Sequence, residues 1–141
     1  MNTKIKQSFI SGIIGTVVMT AIMFIAPMMG MPKMNPAAML SGMMGTPIVI
    51  GWLMHFMIGV IFAASYVYLF LPKVNIKNKT LKGSVFGIAV FIFAQVAMAI
   101  MGAMMGGMSK PEGSMLLMAI GSIIGHVVFG IVVALFIKES K

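Results

Sequence analysis

The chain has no cysteine and no arginine, and only two acidic residues, Glu112 and Glu139, among 141. Without cysteine there is no disulfide framework, Cys-ligated zinc, iron–sulfur cluster or thiol catalysis. Two lone carboxylates supply neither a general acid–base pair nor a Mg²⁺ or Ca²⁺ cage. No nucleophile–base pair, P-loop or dinucleotide fingerprint occurs, and the period-two alternation of half-buried strands is missing. Charged residues make up 9% of the chain and hydrophobic ones 60%, against about 25% and 45–50% in soluble domains. That balance excludes both an ordinary water-soluble globule and a disordered chain.

What is present is long apolar runs. Four stretches match the roughly 20 residues that carry a helix across a bilayer: about 8–26, 48–71, 82–105 and 114–137. Proline bounds the first two, at Pro27, Pro47 and Pro72, where its missing N–H suits a helix edge. In lipid every backbone group must bond internally, which leaves helices as the spanning structure. The expected fold is all-α: one membrane-embedded four-helix bundle over residues 1–141.

The ten lysines give a net charge of +8. They lie between the apolar runs, a membrane pattern rather than a nucleic-acid stripe. Lys4 and Lys6, then Lys73, Lys77, Lys79 and Lys82, then Lys138 and Lys141 fall on one side of a four-span chain, and only Lys33 and Lys110 fall on the other. The positive-inside rule makes the first group cytoplasmic, with both termini inside, in a bacterial inner membrane. The cluster at 73–82 is expected to set topology and meet anionic lipid heads. A cleaved signal peptide is a poor description of the first span: its apolar run exceeds an h-region and no A-x-A site precedes Pro27. The connection at 27–47 is apolar and methionine-rich. Within it Asn35-Pro36 reads as an N-cap followed by proline at the first helical position. Trp52 suits an interfacial anchor.

A shift of 71 residues aligns the two helical hairpins without a gap, with ten identities in 70 positions, where this composition gives roughly six by chance. The register predicts two duplicated hairpins related by a parallel pseudo-two-fold. It pairs His55 with His126. Each opens a His-x3-Gly-x3-Ala pattern, with Gly59 and Ala63 in one copy and Gly130 and Ala134 in the other. Gly51 and Ser122 stand four residues before each histidine. Spacing of four puts each set on one helix face, and a polar side chain within a span faces the bundle interior.

Three readings of the histidines compete. In the first they are packing residues: the small faces let helices approach, each imidazole bonds a neighbour such as Thr16, Thr20 or Gln95, and no cofactor is needed. In the second His55 and His126 are the axial ligands of a haem b, with Gly51, Gly59, Ser122 and Gly130 giving clearance and lysine meeting the propionates. In the third they titrate in a proton or ion path. Gln95, mid-span, is expected to make an interhelical bond.

Methionine is abundant, 19 in all, and 14 fall toward the outer half. Soft thioethers at Met28, Met31, Met34, Met105 and Met108 suit Cu(I). The competing account is that methionine fills irregular apolar gaps.

The stretch Gly51-Trp52-Leu53-Met54-His55-Phe56-Met57-Ile58-Gly59, with the loop before it, resembles small bacterial inner-membrane proteins of the YagU-like type. In those a Gly-Trp-x-x-His-Phe-x-x-Gly element likewise opens a span. The resemblance covers about a third of the chain. It implies a four-helix bacterial membrane protein and a role for His55, and no activity. The leading expectation is a non-enzymatic membrane protein that contacts lipid, its own copies or other membrane subunits, but not nucleic acid. Haem electron transfer and outward-facing Cu(I) or solute handling are the alternatives.

Overall fold

The computed structural model describes residues 3–104 and 113–138. Most of the turn at 106–113, with Met105, Met108 and Lys110, lies outside the described residues. Among the described residues five α-helices form: α1 (Thr3–Ile25), α2 (Pro36–Met44), α3 (Ile48–Ser65), α4 (Lys79–Met104) and α5 (Met115–Phe136). There is no strand among the described residues. With α1 run on through a 3₁₀ turn at Ala26–Met29 and α3 through a π turn at Tyr66–Phe70, four helices among the described residues are long and apolar enough to cross a membrane. The fold is the expected all-α four-helix bundle.

Local chemistry sets the ends. Asn35 Oδ1 accepts from the Ala38 N–H at 3.0 Å with Pro36 next in line, so the short helix α2 begins where the Asn-Pro pair predicts. It stops at Gly45, whose φ of 62° is the left-handed cap geometry that favours glycine. Asn78 caps α4 in the same way, accepting from the Leu81 N–H at 3.0 Å. The α3 span departs from a regular helix at its end: the Leu71 N–H donates to the Tyr66 carbonyl, five residues back, at 2.8 Å. This wide turn lets the Tyr66 and Phe70 rings stack at 5.6 Å and both meet Phe86 of α4, at 5.0 and 5.1 Å.

Helix α1 is central. It packs on α3 with one face and on α5 with another, while α5 also packs on α4 and α2 covers the start of α3. Gly12, Thr16 and Thr20 face α3, and Gly15, Met19 and Met23 face α5. A pure pseudo-two-fold would give α3 and α4 an interface like that of α1 with α5. Instead these helices meet through side chains, the aromatic group above and the Phe62–Phe93 edge contact at 5.7 Å. The predicted symmetry therefore describes the inside of each hairpin better than their arrangement in the bundle.

Hydroxyls on α1 are buried but satisfied. Ser8 donates to the Lys4 carbonyl at 2.8 Å, Ser11 to Gln7 at 2.7 Å and Thr16 to Gly12 at 2.8 Å. Bonding back to the preceding turn removes the cost of an unpaired polar group in a dry interior.

The lysine cluster is not uniformly solvated. Lys73 and Lys77 are exposed and Lys82 is buried. Lys79 Nζ donates to the Ile137 carbonyl at 2.8 Å, which places a cation on the free carbonyls ending α5. Replacing Lys79 by methionine should lower stability by about 0.3–1 kcal/mol. Lys73→Met, on the exposed part of the same connection, should leave it unchanged. Unfolding of the detergent-solubilised protein with increasing dodecyl sulfate measures both.

Candidate functional site

The two histidines sit on seams where helix backbones touch. A Cβ added to Gly12 would lie 2.6 Å from Val60 Cα and 3.0 Å from the Gly59 carbonyl oxygen. One added to Gly83 would lie 2.6 Å from both Ile131 Cα and the Gly130 carbonyl oxygen. Adding 71 to the first set of residues gives the second. Likewise a side chain on Gly59 would strike Thr16, and one on Gly130 would strike Gly83 and come 2.8 Å from Gly87 Cα. Residue 87 is 71 beyond residue 16. The seam α1–α3 and the seam α4–α5 thus use equivalent positions to bring helices together, the small-residue approach of membrane interfaces.

The seams differ in polarity. On the first, Thr20 Oγ1 and His55 Nε2 share a hydrogen bond of 3.0 Å, its direction set by the ring's tautomer. His55 is 8% exposed. Trp52 meets its ring edge-on at 6.1 Å and stacks on Phe24 at 6.1 Å on the other side, while Phe56 lies 6.0 Å from the imidazole. On the second seam Phe91 replaces Thr20 at the equivalent position and meets the His126 ring edge-on at 5.8 Å. Phenylalanine offers no bond, so His126 turns to its own helix. Its Nδ1–H donates to the Ser122 carbonyl at 2.7 Å, which leaves Nε2 as the acceptor nitrogen. Of the neighbours expected for the histidines, Thr20 is the one used. Thr16 bonds within α1, and Gln95 lies exposed with no hydrogen bond among the described residues.

His55 bonds across to Thr20 of α1, while His126 bonds within α5 and meets Phe91 of α4; α3 and α5 share no extensive interface, yet the two imidazoles lie near enough for charge on one to act on the other. The clearance expected beside the small residues is filled by protein. Gly51 packs against the Ala37 carbonyl of α2, Gly59 against Thr16, and Gly130 against Gly83 and Gly87. These glycines are the points of helix contact, because only a missing Cβ permits so close an approach. Ser122 is the His126 partner through its backbone.

The methionines divide. Met28 is 86% exposed, whereas Met34 is buried. The terminal methyls of Met34 and Met31 lie over Gly121 of α5, and those of Met23 and Met19 lie beside Gly125. Met28 and Met34 share a groove of about 510 Å³ with Met23, Phe24, Pro27, Lys33 and Asn35. Met31 lines a second groove, of about 400 Å³. Among the described residues no three His, Asp or Glu side chains group as a metal site.

These features define a small multi-pass membrane protein, a helical bundle closed by glycine seams with one buried Thr–His pair. The chain belongs to DUF6789, a family of unknown function whose model matches residues 2–140. No curated protein and no solved structure matches it.

If the Thr20–His55 bond ties α1 to α3, then Thr20→Val and His55→Leu should each destabilise the bundle, and the double variant should cost less than their sum. The expected coupling is about 0.6 kcal/mol, with an upper bound near 2. The same cycle on Phe91→Leu and His126→Leu probes a ring contact without a hydrogen bond and should give a smaller coupling. Dodecyl sulfate unfolding of the six variants and the parent protein reads both cycles.

Proposed function

We propose that this protein is a non-enzymatic, contact-making component of a bacterial inner membrane, working as an assembly with its own copies or with other membrane subunits. The observation that carries the reading is how the two histidines within the spans are used. His55 is engaged by Thr20 and His126 by the Ser122 carbonyl, and the small residues around them are spent on helix approach. Broad apolar surfaces of α3, α4 and α5 face outward. We read the two hairpins as an ancient duplication. The first copy has a polar tie beside its backbone contact, and the second has a further glycine contact in its place. The lysine distribution supports cytoplasmic termini and a cytoplasmic 73–82 connection, with Lys33 facing out.

The experiment is the mass and absorption spectrum of the protein purified from its native membrane in mild detergent. The reading predicts a protein mass above the 15.1 kDa of one chain and no Soret band. A colourless 15.1 kDa species would end it, and a sharp Soret band lost in both His55→Ala and His126→Ala would replace it with the bis-histidine haem. A stoichiometric copper content lost in Met28→Leu and Met34→Leu would favour metal handling. Topology is tested separately, because the chain has no cysteine of its own. Lys33→Cys should react with an impermeant thiol reagent in intact cells and Lys77→Cys should not. Labelling at residue 77 from outside would reverse the orientation.

A further inference from the structure

Helix α4 carries a polar side chain that the fold leaves unused. Gln95 lies thirteen residues beyond Lys82, about 20 Å along the helix axis, inside an apolar span. It is exposed, and no described residue hydrogen-bonds its amide. An amide in hydrocarbon without a partner costs several kcal/mol, so polar side chains in spans face protein or water-filled space. The residues around it are ordered. Leu81, Val85, Ile88, Ile92, Gln95 and Ala99 are all exposed and follow one another at steps of four, three, four, three and four. That is the 3.5-residue spacing of a left-handed coiled-coil seam, with one polar residue among apolar ones.

We propose that this face of α4 is the interface with a second copy of the same chain, the two helices running parallel and the two Gln95 amides bonding each other across the two-fold axis. Gln is its own complement, because the amide offers both a carbonyl acceptor and N–H donors. Two copies inserted the same way place Gln95 at the same depth, so the register of the seam and the amide pair agree without adjustment. A single polar residue in such a seam fixes register and partner number. The α4 face that meets α5, with Gly83 and Gly87, is consumed within the chain, so the dimer seam and the internal seam occupy different sides of one helix. This inference gives a site to the assembly proposed above and rests on that reading.

The test is disulfide cross-linking in native membranes, on the naturally cysteine-free chain. Single cysteines introduced as Ile88→Cys, Ile92→Cys and Ala99→Cys should form homodimers on mild oxidation. Ile100→Cys and Met104→Cys, exposed on the same helix away from the seam, should not. Adding Gln95→Leu, close in volume but without the amide, should weaken dimerisation by roughly 3- to 30-fold, the effect of one interhelical hydrogen bond, and Gln95→Asn should retain part of it. Fluorescence energy transfer between labelled copies in vesicles measures that shift, and an unchanged unfolding transition shows that the bundle itself is intact. Equal cross-linking at seam and control positions, or no effect of Gln95→Leu, overturns the α4 dimer. Seam cysteines that cross-link to a different protein also overturn it while leaving the assembly reading standing. A protein that is monomeric by mass as well overturns both.

Discussion

Water cannot drive helices together inside a bilayer, because lipid tails are as apolar as leucine. Association there depends on how closely two backbones approach and on the few polar bonds made between them. In this chain the approach is concentrated at Gly12 against Val60 and at Gly83 against Ile131. The rest follows from these contacts. Once α1 and α3 touch at Gly12 and Gly59, Thr20 comes within hydrogen-bond reach of His55, and the remaining face of α1 is free to dock α5. Met19 and Met23 fill the shallow groove beside Gly125, where a flexible thioether follows an irregular surface better than a branched side chain. The methionine content thus has a packing role at these positions, independent of any metal.

Polar bookkeeping explains why the two seams diverge. A threonine at position 20 gives His55 a partner on another helix, so its hydrogen bond ties two elements together. At position 91, 71 residues on, the chain has phenylalanine, and His126 finds its partner in the preceding turn of its own helix. That bond satisfies a nitrogen without joining helices. The second seam compensates with glycine at 87 where the first has Thr16, which brings α4 and α5 into direct backbone contact. The first seam thus adds a hydrogen bond to its backbone contact, and the second adds a further glycine contact instead.

Much of this was legible in the sequence because lipid imposes strong rules. Runs of apolar residues bounded by proline become spans, the Asn35-Pro36 pair caps a short helix, and a shift of 71 residues finds the matched glycines. Thr20 was among the partners the composition offered His55. Other features were hidden because they depend on which neighbour arrives. Lys79 looks like one more topogenic lysine until the end of α5 presents the Ile137 carbonyl. The glycines beside the histidines read equally well as clearance or as contact until α2 covers Gly51. Gln95 looks like an interhelical residue, and its outward direction emerges only from the rotation of α4 set by Gly83 and Gly87. The π turn at Tyr66–Phe70 has no signal beyond an aromatic-rich sequence.

The claim that close backbone contact, and not ligation by histidine, holds and defines this bundle is tested most directly by the order of damage among four variants. Gly59→Leu and Gly130→Leu should each cost more stability than His55→Ala and His126→Ala. Overpacking costs typically about 1–3 kcal/mol, against roughly 0.6 for one interhelical hydrogen bond. Dodecyl sulfate unfolding midpoints of the four proteins give the ranking. The reverse order, with the histidine variants the more damaged, would contradict the account.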